Sequence, residues 1–242
     1  MIDLQEIIRQ YPKEIQRPEF YEQLVKEYFH YHMLSYLFSG KYAEKISFIG
    51  GTALRYLFGI KRFSEDLDFD CFDLTREQFY QMTDELARQL TLLGVDVKIE
   101  DKEKYKNLQA FRRVYVFPWL KYQLGLSRHK EARFFIKVEA ESHHFNYSPQ
   151  VKMLNGFEIV TPIRYMPLEI LFASKIAAAV VRKKDRDFFD VVFLSSFAKP
   201  DFKYLKEKLN ISTVNELKES LLQAARERKL EKRKVFDCEH ML

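Results

Sequence analysis

Six consecutive residues, Asp66-Leu67-Asp68-Phe69-Asp70-Cys71, alternate carboxylate and apolar side chains, and few folds can accommodate that pattern. In an extended strand successive side chains point to opposite faces. The spacing therefore puts Asp66, Asp68 and Asp70 on one face and Leu67, Phe69 and Cys71 on the other. The apolar face needs a core to cover it. The carboxylate face repels itself, and such a row persists most readily where a cation offsets the repulsion. Hard divalent ions such as Mg²⁺ take oxygen ligands and keep positions open for phosphates. The same acids, with Glu77, also match a calcium-loop spacing, but Cys71 stands where that loop's sharp turn requires glycine.

The flanking segments fit phosphate chemistry. A β-like run at 46–49 ends at Gly50-Gly51-Thr52, and 52–58 reads as a helix. Glycines allow close backbone approach, and a helix N-terminus offers unpaired N–H groups to a phosphate. Gly50, Gly51 and Thr52 are thus expected to cradle a nucleotide phosphate. Residues 133–141 alternate apolar and polar, the pattern of a strand with one buried face. There Lys137, Glu139 and Glu141 share a face, and Glu139 is the candidate third carboxylate of a two-metal site. Lys137 is placed to steady it or a phosphate.

Strands are also expected at 67–72, 95–99 and 113–117. An amphipathic helix is expected over 75–94, with Thr75 as N-cap and Gly94 near its end. Residues 3–45, 168–182, 185–197 and 201–235 read as helical, and no element is assigned between 142 and 167. On the helical wheel Lys175, Arg182 and Arg186 fall among the apolar residues Leu171, Ala178, Phe189 and Phe193. Either the helix breaks near Lys183, or these cations line a cleft and clamp a triphosphate, with Asp187 and Asp190 orienting them. The sequence order predicts an α+β fold, a mixed sheet with N-terminal helices and a C-terminal helical region. The expected division is 1–160 for the core and 161–242 for a helical region that completes the site.

Composition narrows the classes. The 242 residues are 47% hydrophobic with seven glycines and seven prolines, enough for a packed core and too few breakers for low complexity. No apolar run reaches the roughly 18 residues of a membrane span. The amino terminus lacks a signal-peptide centre, and Cys71 and Cys238 fit no CxxC pattern, so a cytoplasmic protein is expected. The net charge of +5, with Arg226, Arg228, Lys229, Lys232, Arg233 and Lys234 near the end, permits a polyanionic partner such as RNA. His143 and His144 are adjacent, so on a strand they would not chelate one ion together.

From about residue 45 to 197 the chain resembles the AbiEii/AbiGii-type toxin nucleotidyltransferases of abortive-infection and toxin–antitoxin systems. The likeness rests on Gly50-Gly51-Thr52-Ala53-Leu54, Arg62-x-Ser64-Glu65-Asp66-Leu67-Asp68-Phe69, Lys137-Val138-Glu139, Lys175, and Lys184-Asp185-Arg186-Asp187-x-x-Asp190. It implies a polymerase-β-like nucleotidyltransferase core. By that resemblance Asp66 and Asp68 bind Mg²⁺ (two ions, with Mn²⁺ an alternative), Glu139 is the third carboxylate, and Lys175 holds the triphosphate. Asp190 belongs to the last motif and acts in proton transfer, and Ser64 lies in the nucleotide-binding motif. Glu139 is a departure, since aspartate is common there. The resemblance further implies an NTP donor, a tRNA 3′-end acceptor and a cognate antitoxin. Two other readings stand beside it: the same chemistry on a small molecule or protein hydroxyl, and a non-catalytic nucleotide-binding module.

Overall fold

The structure is a computed structural model that describes residues 3–101 and 110–231. Lys232, Arg233, Lys234 and Cys238 lie outside the described residues. In chain order the elements are α1 (Leu4–Arg9), α2 (Tyr21–Ser39), β1 (Ile46–Ile49), α3 (Gly50–Phe58), β2 (Leu67–Cys71) and α4 (Arg76–Leu92). There follow β3 (Lys98–Glu100), β4 (Phe111–Val116), α5 (Leu120–Gln123), β5 (Phe135–Glu141), β6 (Gln150–Gly156) and β7 (Ile159–Tyr165). The chain then becomes helical, with α6 (Leu168–Arg182), α7 (Asp185–Ser195), α8 (Phe202–Leu209) and α9 (Val214–Glu231).

Among the described residues the strands form one mixed sheet in the order β3-β4-β5-β2-β1-β7-β6. β2 sits at its centre, antiparallel to β1 and parallel to β5, with Asp68 directly beside Glu139. The period-2 pattern sets the two faces. Leu67 and Phe69 of β2 and Ile136, Val138 and Ala140 of β5 are buried in the core that α2 and α4 cover. Asp68, Lys137 and Glu139 project from the opposite face. A second apolar cluster joins Ile49 and Leu54 to Leu171, Ile176, Leu194 and Leu205, packing the C-terminal helices onto α3.

Local chemistry explains the helix limits. Thr75 accepts from Gln78 N while the Gln78 side chain accepts from Thr75 N, a capping box that starts α4. Lys183 adopts the left-handed conformation at φ 53°, which separates α6 from α7. Asn210 does the same at φ 57°, so the helical tail expected over 201–235 is broken into α8 and α9. The strand expected at 95–99 lies a few residues later as β3.

The β6–β7 hairpin was not expected from the pattern. Its two-residue turn is Phe157-Glu158, both at positive φ, although that geometry favours Asn or Gly. Pro162 lies inside β7, and Val151, Met153 and Val160 are exposed, so neither composition nor alternation marks the strands. β7 also runs across residue 160 and pairs with β1. No helix among the described residues is long and apolar enough to cross a membrane.

Phe29 of α2 anchors the sheet, its ring 4.6 Å from Phe117 and 5.8 Å from Phe134. Phe29→Ala is expected to cost about 3–5 kcal/mol of unfolding free energy, the range for large aromatic truncation in a closed core. Urea denaturation checks this.

Candidate active site

Three elements bring the acidic residues together. Asp66 ends the loop that leads into β2, Asp68 lies within β2, and Glu139 stands beside it on β5. Burial first, then the negative charges of Asp66 and Glu139, push the Asp68 pKa up to about 6 against the pull of Lys175 and Lys137. Asp70, though on the same strand face, is claimed by the protein: Tyr147 Oη donates to it at 2.8 Å and His143 N at 2.9 Å. His143 Nδ1 lies 3.1 Å from Tyr204 Oη, and His144 contacts Ser142 instead.

Facing the acids is a wall of cations. A cleft of about 280 Å³ is lined by Arg62, Ser64, Asp66, Asp68, Lys137, Lys175, Arg182, Arg186 and Asp187. Both outcomes expected for the interrupted apolar face occur: the helix breaks at Lys183, and Lys175, Arg182 and Arg186 line the cleft. Arg182 is held by Asp187, 2.7 Å away. Among the described residues, one oxygen of Asp187 is buried without a partner. Arg228–Asp185 ties α7, and Lys183–Glu227 the break before it, to α9, each at 2.6 Å.

Asp190 lies behind this wall, fully buried. It takes a two-pronged hydrogen bond from Arg62, 2.7 Å on each oxygen, and pairs with Lys175 at 2.9 Å. Burial alone would raise its pKa, but the charges and hydrogen bonds of Lys175 and Arg62 outweigh it and hold the carboxyl below the usual range. A carboxylate so enclosed suits positioning its two cations.

The glycines are required by contact. Gly50 sits at φ 82°, and a side chain there would collide with the Asp68 carboxylate. A Cβ on Gly51 would lie 2.5 Å from the Arg62 guanidinium and 2.9 Å from Ser64 Oγ. Thr52 is buried, and its hydroxyl donates to the Asp66 carbonyl at 2.6 Å, fixing the loop. The loop is further anchored by Lys26 on the Glu65 carboxylate and by His30 Nε2, 3.2 Å from the Glu65 carbonyl oxygen. Burial lowers the His30 pKa to about 3, so that ring stays neutral.

The donor set matches a hard divalent ion in chemistry: clustered carboxylate oxygens whose mutual repulsion a cation would relieve. As placed, however, Asp66 is turned to Lys137 Nζ at 2.8 Å and Glu139 to Arg112. Among the described residues no three acidic, histidine or cysteine side chains stand ready to share an ion. Asp66 and Asp68 fit such an ion; Glu139 joins them only by leaving Arg112. Arg62 and Arg112 received no role from the sequence. Arg62 meets a partner 128 residues away, a pairing no local pattern signals.

Residues 32–236 match the family described as nucleotidyl transferase AbiEii toxin, type IV toxin–antitoxin system. No curated protein matches the sequence. Among solved structures, MenT4, a nucleotidyltransferase toxin from Mycobacterium tuberculosis H37Rv, aligns with a TM-score of 0.56 and 14% identity, covering 95% of this chain and 90% of that one. JHP933 from Helicobacter pylori aligns with a TM-score of 0.50 and 19% identity, covering 86% and 90%. At such identities the likeness concerns the fold.

Two outcomes follow from the charges. The folded pKa of Asp68 lies above the usual carboxylate value, so its ionised form costs stability above about pH 6 and that cost vanishes below about pH 4. Asp68→Asn is therefore expected to unfold a few degrees higher than the parent in chelator at pH 7.5, worth about 1–2 kcal/mol after discounting for solvent. The difference should disappear at pH 4, as read by parallel thermal melts. Asp190→Ala leaves two enclosed cations uncompensated and should cost about 3–5 kcal/mol in the same assay.

Proposed function

The chain belongs to the AbiEii nucleotidyl transferase toxin family and is a nucleotidyltransferase, and from that premise we propose that it transfers a nucleoside monophosphate from an NTP to the 3′ end of a tRNA. The observation that carries this reading is the opposition, across one cleft, of Asp66 and Asp68 to Lys175, Arg182 and Arg186. A cleft that carboxylates and cations share suits a metal-bridged triphosphate.

In the proposed reaction the acceptor hydroxyl oxygen bonds to the α-phosphorus. The bond from that phosphorus to the bridging oxygen breaks, pyrophosphate leaves with its electron pair, and the hydroxyl proton passes to solvent. Mg²⁺ held by Asp66 and Asp68, with Glu139 as third carboxylate and Mn²⁺ as a substitute, would supply charge neutralisation on the phosphates. Lys175, Arg182 and Arg186 hold the β- and γ-phosphates, and Lys137 exchanges Asp66 for a phosphate oxygen. Gly50 and Gly51 keep the backbone close, and Ser64 beside Gly51 offers a hydroxyl. Asp190 acts through Lys175 and Arg62, as a positioning residue.

The net charge of +5 supports an RNA partner. A cognate antitoxin and a cytoplasmic setting are parts of the same proposal. The division at residue 160, which falls within β7, belongs to the proposal too: the part before it supplies the carboxylates with Arg62 and Lys137, and the helices beyond supply Lys175, Arg182 and Arg186.

The test is transfer of label from each α-³²P NTP to total bacterial tRNA with Mg²⁺. Label on RNA should depend on one donor, and Asp68→Ala should lower it at least about a thousandfold, since metal-held charge is worth several kcal/mol. Lys175→Ala should cost about 10²–10³-fold. No label on RNA with any donor would overturn the tRNA acceptor, and label on protein or a small hydroxylated compound would redirect it.

A further inference from the structure

β4 carries two adjacent arginines, and strand alternation sends them to opposite faces of the sheet. Arg113 turns to the side that α4 covers, where it donates to Asp101 at 3.0 and 3.1 Å and to the Thr83 hydroxyl at 3.0 Å. Arg112 turns to the acidic side and donates to the Glu139 carboxylate. Register makes that pairing. Arg112 stands directly opposite Glu139 across β4 and β5, and Glu139 directly beside Asp68 across β5 and β2. One row across three strands therefore reads cation, carboxylate, carboxylate.

We propose that Arg112 takes the place of a second metal ion, so that the site loads one divalent ion, held by Asp66 and Asp68, while Glu139 is neutralised from within the protein. The proposal rests on the transferase reading and sets its ion count at one, where the resemblance implies two.

The two internal cations on the acids differ in what awaits them. Lys137 lines the cleft, so a triphosphate there offers its ammonium an oxygen in exchange for Asp66. Arg112 is not among the described residues that line that cleft or the adjoining recess of about 250 Å³, to which Asp68 and Glu139 both contribute. A phosphate entering either space leaves the Arg112–Glu139 pair untouched.

Protonation does not part the pair, because arginine keeps its charge in a protein. Separation is costly as well. The two side chains are only 27% and 20% exposed, and pulling Glu139 away would strand a poorly solvated guanidinium. While the pair holds, the attraction of Glu139 for an ion is offset by repulsion from Arg112 behind it. Asp66 regains its full charge once Lys137 leaves. With Asp68 it then offers a hard ion carboxylate oxygens and positions open to water and phosphate.

The count can be read without turnover. Parent and variants would be titrated with Mn²⁺, alone and after saturation with α,β-methylene triphosphate analogues, which cannot transfer, and free ion followed by electron paramagnetic resonance. The parent should hold one Mn²⁺ per chain, with any second ion at least about tenfold weaker. Arg112→Met should hold two, the second within about tenfold of the first, with the broadened spectrum of a coupled pair. Arg112→Lys, which keeps the charge, should hold one, and Arg112→Met/Glu139→Gln should return to one. Thermal melts establish that the variants fold, and the parent's own count needs no variant. A parent that holds two ions, an Arg112→Met chain that stays at one, or no bound Mn²⁺ at all would overturn the stand-in. Failure to label RNA in the transfer assay would count against the tRNA acceptor and leave this count intact.

Discussion

Asp190 is the fixed point around which the cleft is arranged. A carboxylate with no solvent contact needs compensation, and here it comes from two cations on different parts of the chain: Arg62 from the loop before β2 and Lys175 from α6. The three groups thereby lock loop, helix and helix together at the level of the phosphate wall. Arg62 in turn packs on Gly51, so the glycine turn after β1 is part of the same lock. A buried ion pair of this sort is weak evidence of net stability, since desolvation offsets the Coulomb gain. What it supplies is position.

The acidic side of the cleft is organised on an opposing principle. Asp68 is held among like charges in a partly enclosed place, which raises its proton affinity and works against the fold. Lys137 and Arg112 lean on Asp66 and Glu139 and blunt that repulsion from within. The arrangement stores unfavourable electrostatics where chemistry needs negative charge, a common cost of functional sites. Internal cations are a provisional answer to it; the divalent ion proposed above, with its phosphates, would be a fuller one.

Much of this was legible in the chain because the strongest signals are local. Alternation over 66–71 and 133–141 fixed which residues of β2 and β5 face the core, and Thr75 and Gly94 bounded α4. The charges within an apolar helical face pointed to the cleft wall, and the break at Lys183 accompanies it. The losses have physical causes too. The β6–β7 hairpin turns on Phe157 and Glu158 in a conformation that those residue types do not advertise. The Arg62–Asp190 pair is formed by folding alone, and the rotation of Glu139 toward Arg112 depends on register between strands. Asp70 looked equivalent to its neighbours until Tyr147 and His143, from a segment with no expected structure, closed over it.

The ties between α9 and the start of α7 carry a mechanical meaning. Lys183 lies just before α7 and Asp185 is its first residue, and both are gripped by α9, with Arg228 reaching back across 43 residues of sequence. Arg186 is thus splinted from outside the cleft. A load applied along α9 has a short lever to the cationic wall of the cleft.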